Sequence, residues 1–216
     1  NLTIEMDASV DFTSINDLNF SGGVLVAPIW SLDSQTIFMQ VSQHGSVRLM
    51  SVDIHAGSPR AVIDETGCVG AFNFDRKQNK LVYFFGTMSD PGQAFVKVLP
   101  ELESHRVTKT NTWLQKVDLG EIEEVWFKGR DDNDLQGWVV KPPGFDSSQS
   151  YPSILEIHGG PLAQYGEFFM HEFYYLAAQG YVVYFSNPRG GQGYGEKHAK
   201  AIWGGWGDAD YADLML

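Results

Sequence analysis

One cysteine, Cys68, stands in the whole sequence, so no disulfide can close within the chain. Set between Gly67 and Val69 in strand-and-turn sequence, its thiol is expected to pack as a small apolar group rather than act as a nucleophile. A chain without disulfides suits a reducing compartment, and a cytoplasmic setting is the expectation. No long apolar run occurs, so no membrane-spanning helix is expected. Residues Asn1 to Ala8 have neither the basic region nor the apolar core of a signal peptide, and the sequon Asn1-Leu2-Thr3 reads as chance. Positive charge is scarce: 15 Lys and Arg against 27 Asp and Glu leave a net charge of −12, a poor match for nucleic acid or an anionic membrane. His171 and His198 lie far apart, and no His-x-His or His-Glu-x-x-His spacing occurs, so neither a metal nor another cofactor is expected. Also missing is any serine flanked as Gly-x-Ser-x-Gly; Ser46 and Ser58 follow a glycine but lie in turn sequence.

What is present is enough to build a core, since 43% of residues are hydrophobic and only 19% charged. The 216 residues leave room for one large domain or two small ones. Asn1–Glu5 reads as the end of a strand, and Asp7–Asn19 as a polar connector. From Val24 to Asn111 short apolar or alternating runs recur at Val24–Ile29, Thr36–Val41, Val47–Val52, Ala61–Ile63, Gly70–Phe74, Lys80–Phe85, Ala94–Val98 and Arg106–Thr108. Turn residues such as Ser31–Ser34, Gln43–Gly45, Ala56–Pro59 and Arg76–Asn79 separate them. P-I-W-S-L-D-S-Q-T-I-F-M aligns with A-F-N-F-D-R-K-Q-N-K-L-V-Y-F at an offset of about 43 residues, four strands to a unit, the period of a β-propeller blade. Two units do not close a ring, so this reading implies further blades; a small β-sandwich is the other reading of the same runs.

The segment from Ile154 to Gly195 has a different grammar. Ser153–Ile157 is an apolar run ending in His158-Gly159-Gly160-Pro161, and Tyr181–Phe185 is a second ending in Asn187-Pro188-Arg189-Gly190. A helical stretch, Glu167–Gln179, lies between them and is stopped by Gly180, with its aromatic residues expected to pack on the sheet. Strand, helix, strand is the βαβ unit of a parallel sheet, and chemistry in such sheets sits at the carboxyl ends of the strands. Backbone N–H groups on a glycine turn there are suited to hold a developing oxyanion. Pro161 has no N–H, which leaves Gly160 or Gly159 as donor; a plain tight turn is the other reading of an isolated His-Gly-Gly-Pro. Gly190–Gly195 is glycine-rich, but its spacing does not match a dinucleotide fingerprint. Arg189 is expected to anchor its loop through a carboxylate, with Glu196 a candidate partner, or to contact substrate directly. Trp203–Trp206 reads as a turn, and Asp208 as the start of a helix running through Leu216.

The runs Y-P-S-I-L-E-I-H-G-G-P, H-E-F-Y-Y-L-A-A-Q-G-Y-V-V-Y-F-S-N-P-R-G-G-Q-G-Y-G-E and W-G-D-A-D-Y-A-D-L-M resemble the prolyl oligopeptidase family of serine peptidases, most closely its acylaminoacyl-peptidase and dipeptidyl-peptidase-like branch. The resemblance is continuous from Glu123 to Leu216, and Gly191 departs from it where the family commonly has Ser. It implies a division into residues 1–117, the last part of a β-propeller, and 118–216, the first part of an α/β-hydrolase domain. Thr110–Leu119 is the expected linker, and Glu123–Gly129 with Leu135–Pro142 the expected first hairpin of the hydrolase sheet. The expected catalytic contribution is the oxyanion-hole loop, Gly159 and Gly160, with Arg189 as a candidate substrate contact. Because the triad of such a domain starts at the serine elbow, Ser, Asp and His are expected beyond Leu216, and this chain alone is expected to be inactive. The implied substrates are short peptides or acylated N-terminal residues, with homo-oligomerisation left open. Rival readings are a carboxylesterase on the same fold and a non-catalytic propeller module acting in binding.

Overall fold

The structure is a computed structural model that describes residues 6–18, 25–55, 57–99 and 103–216. The strand expected at Asn1–Glu5, and the first residue of the run from Val24, lie outside the described residues.

Eight strands form the first sheet: β1 (Ile29–Trp30), β2 (Thr36–Gln43), β3 (Ser46–Asp53), β4 (Arg60–Ile63), β5 (Cys68–Phe74), β6 (Lys80–Thr87), β7 (Asp90–Val98) and β8 (Ser104–Arg106). They divide into two antiparallel meanders, β1 to β4 and β5 to β8, joined by one parallel pair, Val47 with Cys68. β2 and β6 begin at Thr36 and Lys80, β3 and β7 at Ser46 and Asp90, β4 and β8 at Arg60 and Ser104, a constant step of 44 residues. The repeat read from the sequence is thus a repeat of strands. Alternation sets the faces: Leu81 and Tyr83 turn inward while Lys80 and Val82 turn out, and with Leu49, Ile63, Val69 and Phe72 they make the core of this sheet. Across β6 and β7, Tyr83 stacks on Phe95 with ring centroids 5.5 Å apart.

A short 3-10 turn, Thr112–Lys116, follows, and then the second sheet. Its strands are β9 (Ile122–Lys128), β10 (Asp134–Val140), β11 (Ser153–Glu156) and β12 (Val182–Ser186), in the order β11-β12-β10-β9. β9 and β10 form the expected antiparallel hairpin, and β11 and β12 the expected parallel pair. The connection between β11 and β12 carries α1 (His171–Ala178); α2 (Glu196–Lys200) and α3 (Ala209–Leu214) follow β12. Neither sheet closes on itself among the described residues, and no described helix is long and apolar enough to cross a membrane.

Two helices are shorter than the sequence suggests. α1 begins at His171, not Glu167, because the Glu167 N–H donates to Gly45 O (2.9 Å) and the Phe168 N–H to Gly166 O, which commits that stretch to loop bonding. The orphan amides of the first turn, on His171 and Glu172, find their acceptors on the Asp17 carboxylate at 2.8 and 2.7 Å. Gly180 closes the helix at φ +92° with its N–H on Ala177 O. α3 spans Ala209–Leu214 rather than Asp208–Leu216, and Asp208 is its N-cap residue.

The second core is aromatic. Trp138, fully buried, stacks on Phe185 at 5.4 Å, and Phe173 lies 4.4 Å from Phe185. Phe173 and Tyr174 face the sheet from α1 as expected, Phe168 and Phe169 are buried just ahead of it, and Tyr175 points outward. Truncating a side chain placed as Trp138 is to the size of alanine costs about 3–5 kcal/mol.

Candidate functional site

Both glycine turns lie where parallel strands end. β11 stops at Glu156, and His158-Gly159-Gly160-Pro161 follows two residues on. The His158 Nδ1–H donates to Gly159 O at 3.0 Å, while its ring sits edge-on to Tyr165 at 5.0 Å. Burial holds the imidazole pKa below its ordinary 6.5, so the ring is neutral at pH 7. Gly160 takes φ +133°, a conformation that a side chain opposes, and the Gly160–Pro161 peptide is cis. Gly159 and Gly160 are exposed, and neither backbone N–H has an acceptor among the described residues. Two free amides on a turn at a strand's carboxyl end can bind an anionic oxygen.

Behind the turn the chain is tightly held. The Ala163 N–H donates to Pro161 O (2.7 Å), and Ala163 O accepts from the Gln192 N–H of the second turn (2.9 Å). Asn187, buried at the end of β12, grips Tyr165 by both backbone groups: its Oδ1 accepts from Tyr165 N–H and its Nδ2 donates to Tyr165 O, each at 2.8 Å. Nδ2 also reaches the Tyr194 hydroxyl (2.7 Å), which donates to Gln136 Oε1 (2.5 Å). Gln136 Nε2 in turn donates to Glu124 (2.6 Å), which accepts from the Trp126 indole as well (2.8 Å). Burial raises the pKa of Tyr194, keeping its hydroxyl protonated as this chain of bonds requires.

Arg189 is the anchor of the second turn. Its Nε donates to Asp213 Oδ2 (2.7 Å), Nη2 to Asp213 Oδ1 (2.8 Å) and Nη1 to Asp131 (2.5 Å), and its own backbone N–H also reaches Asp213 (3.1 Å). The bidentate pair with Asp213, more than that with Asp131, raises the guanidinium pKa. Glu196, the partner suggested by sequence, pairs instead with Lys200 one helical turn on, because α2 carries it away from Arg189. His198, neutral through burial, donates its Nε2–H to Pro188 O (2.9 Å) and closes the loop from the other side.

A cavity of about 570 Å³ beside the second turn is lined by His44, Trp126, Asn133, Arg189, Tyr194 and Lys197 among others, and a smaller one of about 300 Å³ beside the first turn by Pro161, Leu162, Ile202, Trp203 and Trp206 among others. No cluster of metal-ligating side chains occurs among the described residues. Cys68 is fully buried, and burial pushes its thiol up to about 12, so it carries no thiolate at neutral pH.

Gly159, Gly160 and Arg189 therefore lie on adjoining loops, bridged by the bond from Gln192 to Ala163. Sequence reasoning passed over Gln164 and Asp17. Gln164 carries no motif; its one signal is a lone amide in an otherwise apolar and aromatic stretch. Asp17 caps a helix 154 residues away in the chain, a relation with no local trace.

The architecture defines a class first: an α/β sheet with glycine turns at the carboxyl ends of adjacent parallel strands. Residues 167–216 match the prolyl oligopeptidase family. It is 29% identical over 214 residues to an uncharacterized peptidase, YuxL, of Bacillus subtilis, covering 99% of this chain and 32% of that protein. It is 30% identical over 193 residues to dipeptidyl-peptidase 5 of Trichophyton equinum, covering 86% of this chain and 26% of the relative. Among solved structures, Pyrococcus horikoshii acylaminoacyl peptidase superposes with a TM-score of 0.78 at 25% identity, covering 99% of this chain and 30% of the other. The chain thus spans about a third or less of the length of the curated relatives it matches.

Proposed function

We propose that this chain supplies the oxyanion-binding loop of a serine peptidase acting on short peptides or acylated N-terminal residues. In this reading residues 1–117 are the closing blades of a β-propeller and 118–216 the opening part of an α/β-hydrolase domain. The 44-residue strand repeat and the parallel β11–β12 pair support that division. The observation that carries the reading is the pair of N–H groups on Gly159 and Gly160 that have no acceptor among the described residues, at the end of β11 in a chain whose residues 167–216 match this family. A serine would attack the scissile carbonyl, a histidine would carry its proton to the leaving amine, and the Gly160 N–H would stabilise the oxyanion, with Gly159 alongside. Arg189 serves as a loop anchor, since Asp213 and Asp131 already take its donors.

None of these 216 residues forms a serine elbow, so the chain by itself is expected to be inactive. A fluorophosphonate probe followed by a denaturing gel tests this. The purified chain of 24.1 kDa should stay unlabelled, while a longer protein carrying this sequence should label. A labelled band at the size of this chain would show that the nucleophile lies within it. In the longer protein, peptide p-nitroanilides should be turned over; turnover of p-nitrophenyl esters with none of the p-nitroanilides would make it an esterase.

A further inference from the structure

Of the contacts between the two sheets, one bears directly on the candidate oxyanion loop. The β2–β3 turn, His44 at φ +48° and Gly45 at φ +74°, enters a slot between the loop after β11 and the loop after β12. On one side the His44 N–H donates to Gly193 O (3.1 Å). On the other, the Gly45 N–H donates to Gln164 Oε1 (3.2 Å) and Gly45 O accepts from Glu167 N–H (2.9 Å). Gln164 is fully buried, and its Nε2 is spent on Ser14 Oγ (2.8 Å) and Ser46 O (3.3 Å). The slot has no spare room. A Cβ on Gly166 would stand 1.9 Å from Gly45 O, one on Gly193 2.1 Å from Gln164 Oε1, and one on Gly45 2.8 Å from the Trp138 ring. With the bond from Gln192 N–H to Ala163 O, these contacts close a ring: turn to second loop, second loop to first loop, first loop back to turn through Gln164.

We infer that the His44–Gly45 turn, keyed by Gln164, is a positioning element for the oxyanion loop; this rests on the peptidase reading above. The backbone that aims the Gly160 N–H is fixed at one end by β11. Four residues on from Gly160 it is fixed at the other end by Gln164, whose side-chain amide is held by Gly45, Ser46 and Ser14 and whose backbone bonds Thr13 and Ile15. Gln164 touches no reacting atom; it acts through the loop. Releasing its amide should free the segment from Pro161 to Gln164, misaim the donor, and lower the rate of the chemical step without altering how substrate is held.

The test is Gln164→Leu, which keeps the bulk and removes both polar ends. Amide hydrogen exchange on the 216-residue chain reads the mechanical part. His44 and Gly45 should exchange about tenfold faster, together with Ala163 and Gln192, while β6 amides stay unchanged. Faster exchange at His44 and Gly45 alone would overturn the inference. In a longer, active protein carrying the sequence, kcat per titrated active site should fall about tenfold with KM held within about twofold. A loss confined to the number of titratable sites would mean Gln164 only supports folding, and would overturn it too. Should Gln164→Leu fail to fold, Ser14→Ala removes one partner of the amide and leaves the ring; the same four amides should then move together by a smaller factor, and independent movement counts against the inference. Coupled exchange in a protein that never turns over peptide would sink the peptidase reading alone.

Discussion

Asp213 has no exposed side-chain surface, and the Arg189 it holds is 11% exposed; Asp131, the second acid on the same guanidinium, is 55% exposed. One cation thus makes a buried, bidentate pair and a surface pair at once, and the two differ in consequence. Breaking a buried pair strands a charge away from water and costs about 3–5 kcal/mol, whereas an exposed pair contributes about 0–1 kcal/mol. Asp213→Asn should therefore lower the urea midpoint strongly and Asp131→Asn hardly at all. Arg189→Lys should resemble Asp213→Asn, because an ammonium cannot span both Asp213 oxygens while reaching Asp131. Equal effects of the two Asp→Asn changes would show that the carboxylates share the load. That Arg189 would anchor its loop was legible from Asn-Pro-Arg-Gly-Gly; which acids would meet it was not. Asp131 sits on the β9–β10 turn and Asp213 on α3, and only the folded sheet brings these to Arg189.

At the scale of elements, the clearest case is α1. Its eight residues are too few to hold as an isolated helix, so its order comes from Phe173, Tyr174 and Ala177 against the sheet and from a cap that the helix does not itself encode. Asp17 accepts from two first-turn amides, and Asp17→Ala should cost about 1 kcal/mol, with Asp17→Asn costing less because one acceptor oxygen remains. Chemical denaturation of both variants checks this. The strands were well marked in the sequence because alternation and turn residues are local properties: β2, β3, β6, β9, β10 and β12 fall within a residue or two of their apolar runs. The start of α1 was not, because Glu167 looks like a helix residue until Gly45 claims its N–H. The aromatic run from Phe168 to Tyr175 has helical spacing throughout, so the periodicity could not reveal where a distant turn would interrupt it. The glycine turn at His158–Pro161 was legible for the opposite reason: its glycines and proline encode their geometry locally.

Across the whole molecule, three neutral histidines gather near the junction of the two sheets. Burial lowers the pKa of His44, His158 and His198 below the ordinary 6.5. The sign follows directly. In the unfolded chain these rings take up protons as pH falls through about 6.5, while in the fold they resist until lower pH, so the unfolded state binds more protons and stability drops. The thermal midpoint should be flat from pH 8 to about 7 and fall between about pH 6.5 and 5, above the range where the depressed carboxylates of Asp75, Asp131 and Asp146 begin to titrate. Replacing His198 with Gln should flatten that fall in thermal melts; an unchanged slope would mean the ring is already charged in the fold.

The step of 44 residues sets His44 and Met88 at equivalent tips of the two meanders, and both tips touch the elements around the second sheet: His44 and Gly45 in the slot between the loops, Met88 O on the Tyr174 hydroxyl. The strand-like segment of Thr13 to Ile15, bonded to Gln164 at 3.0 and 2.9 Å, adds a further contact, and Asp17 on α1 another. The 13–15 segment and the His44–Gly45 turn converge on Gln164, and Phe12 and Val47 pack on Phe168 nearby, so the seam between the sheets is a broad seat pinned at one buried glutamine.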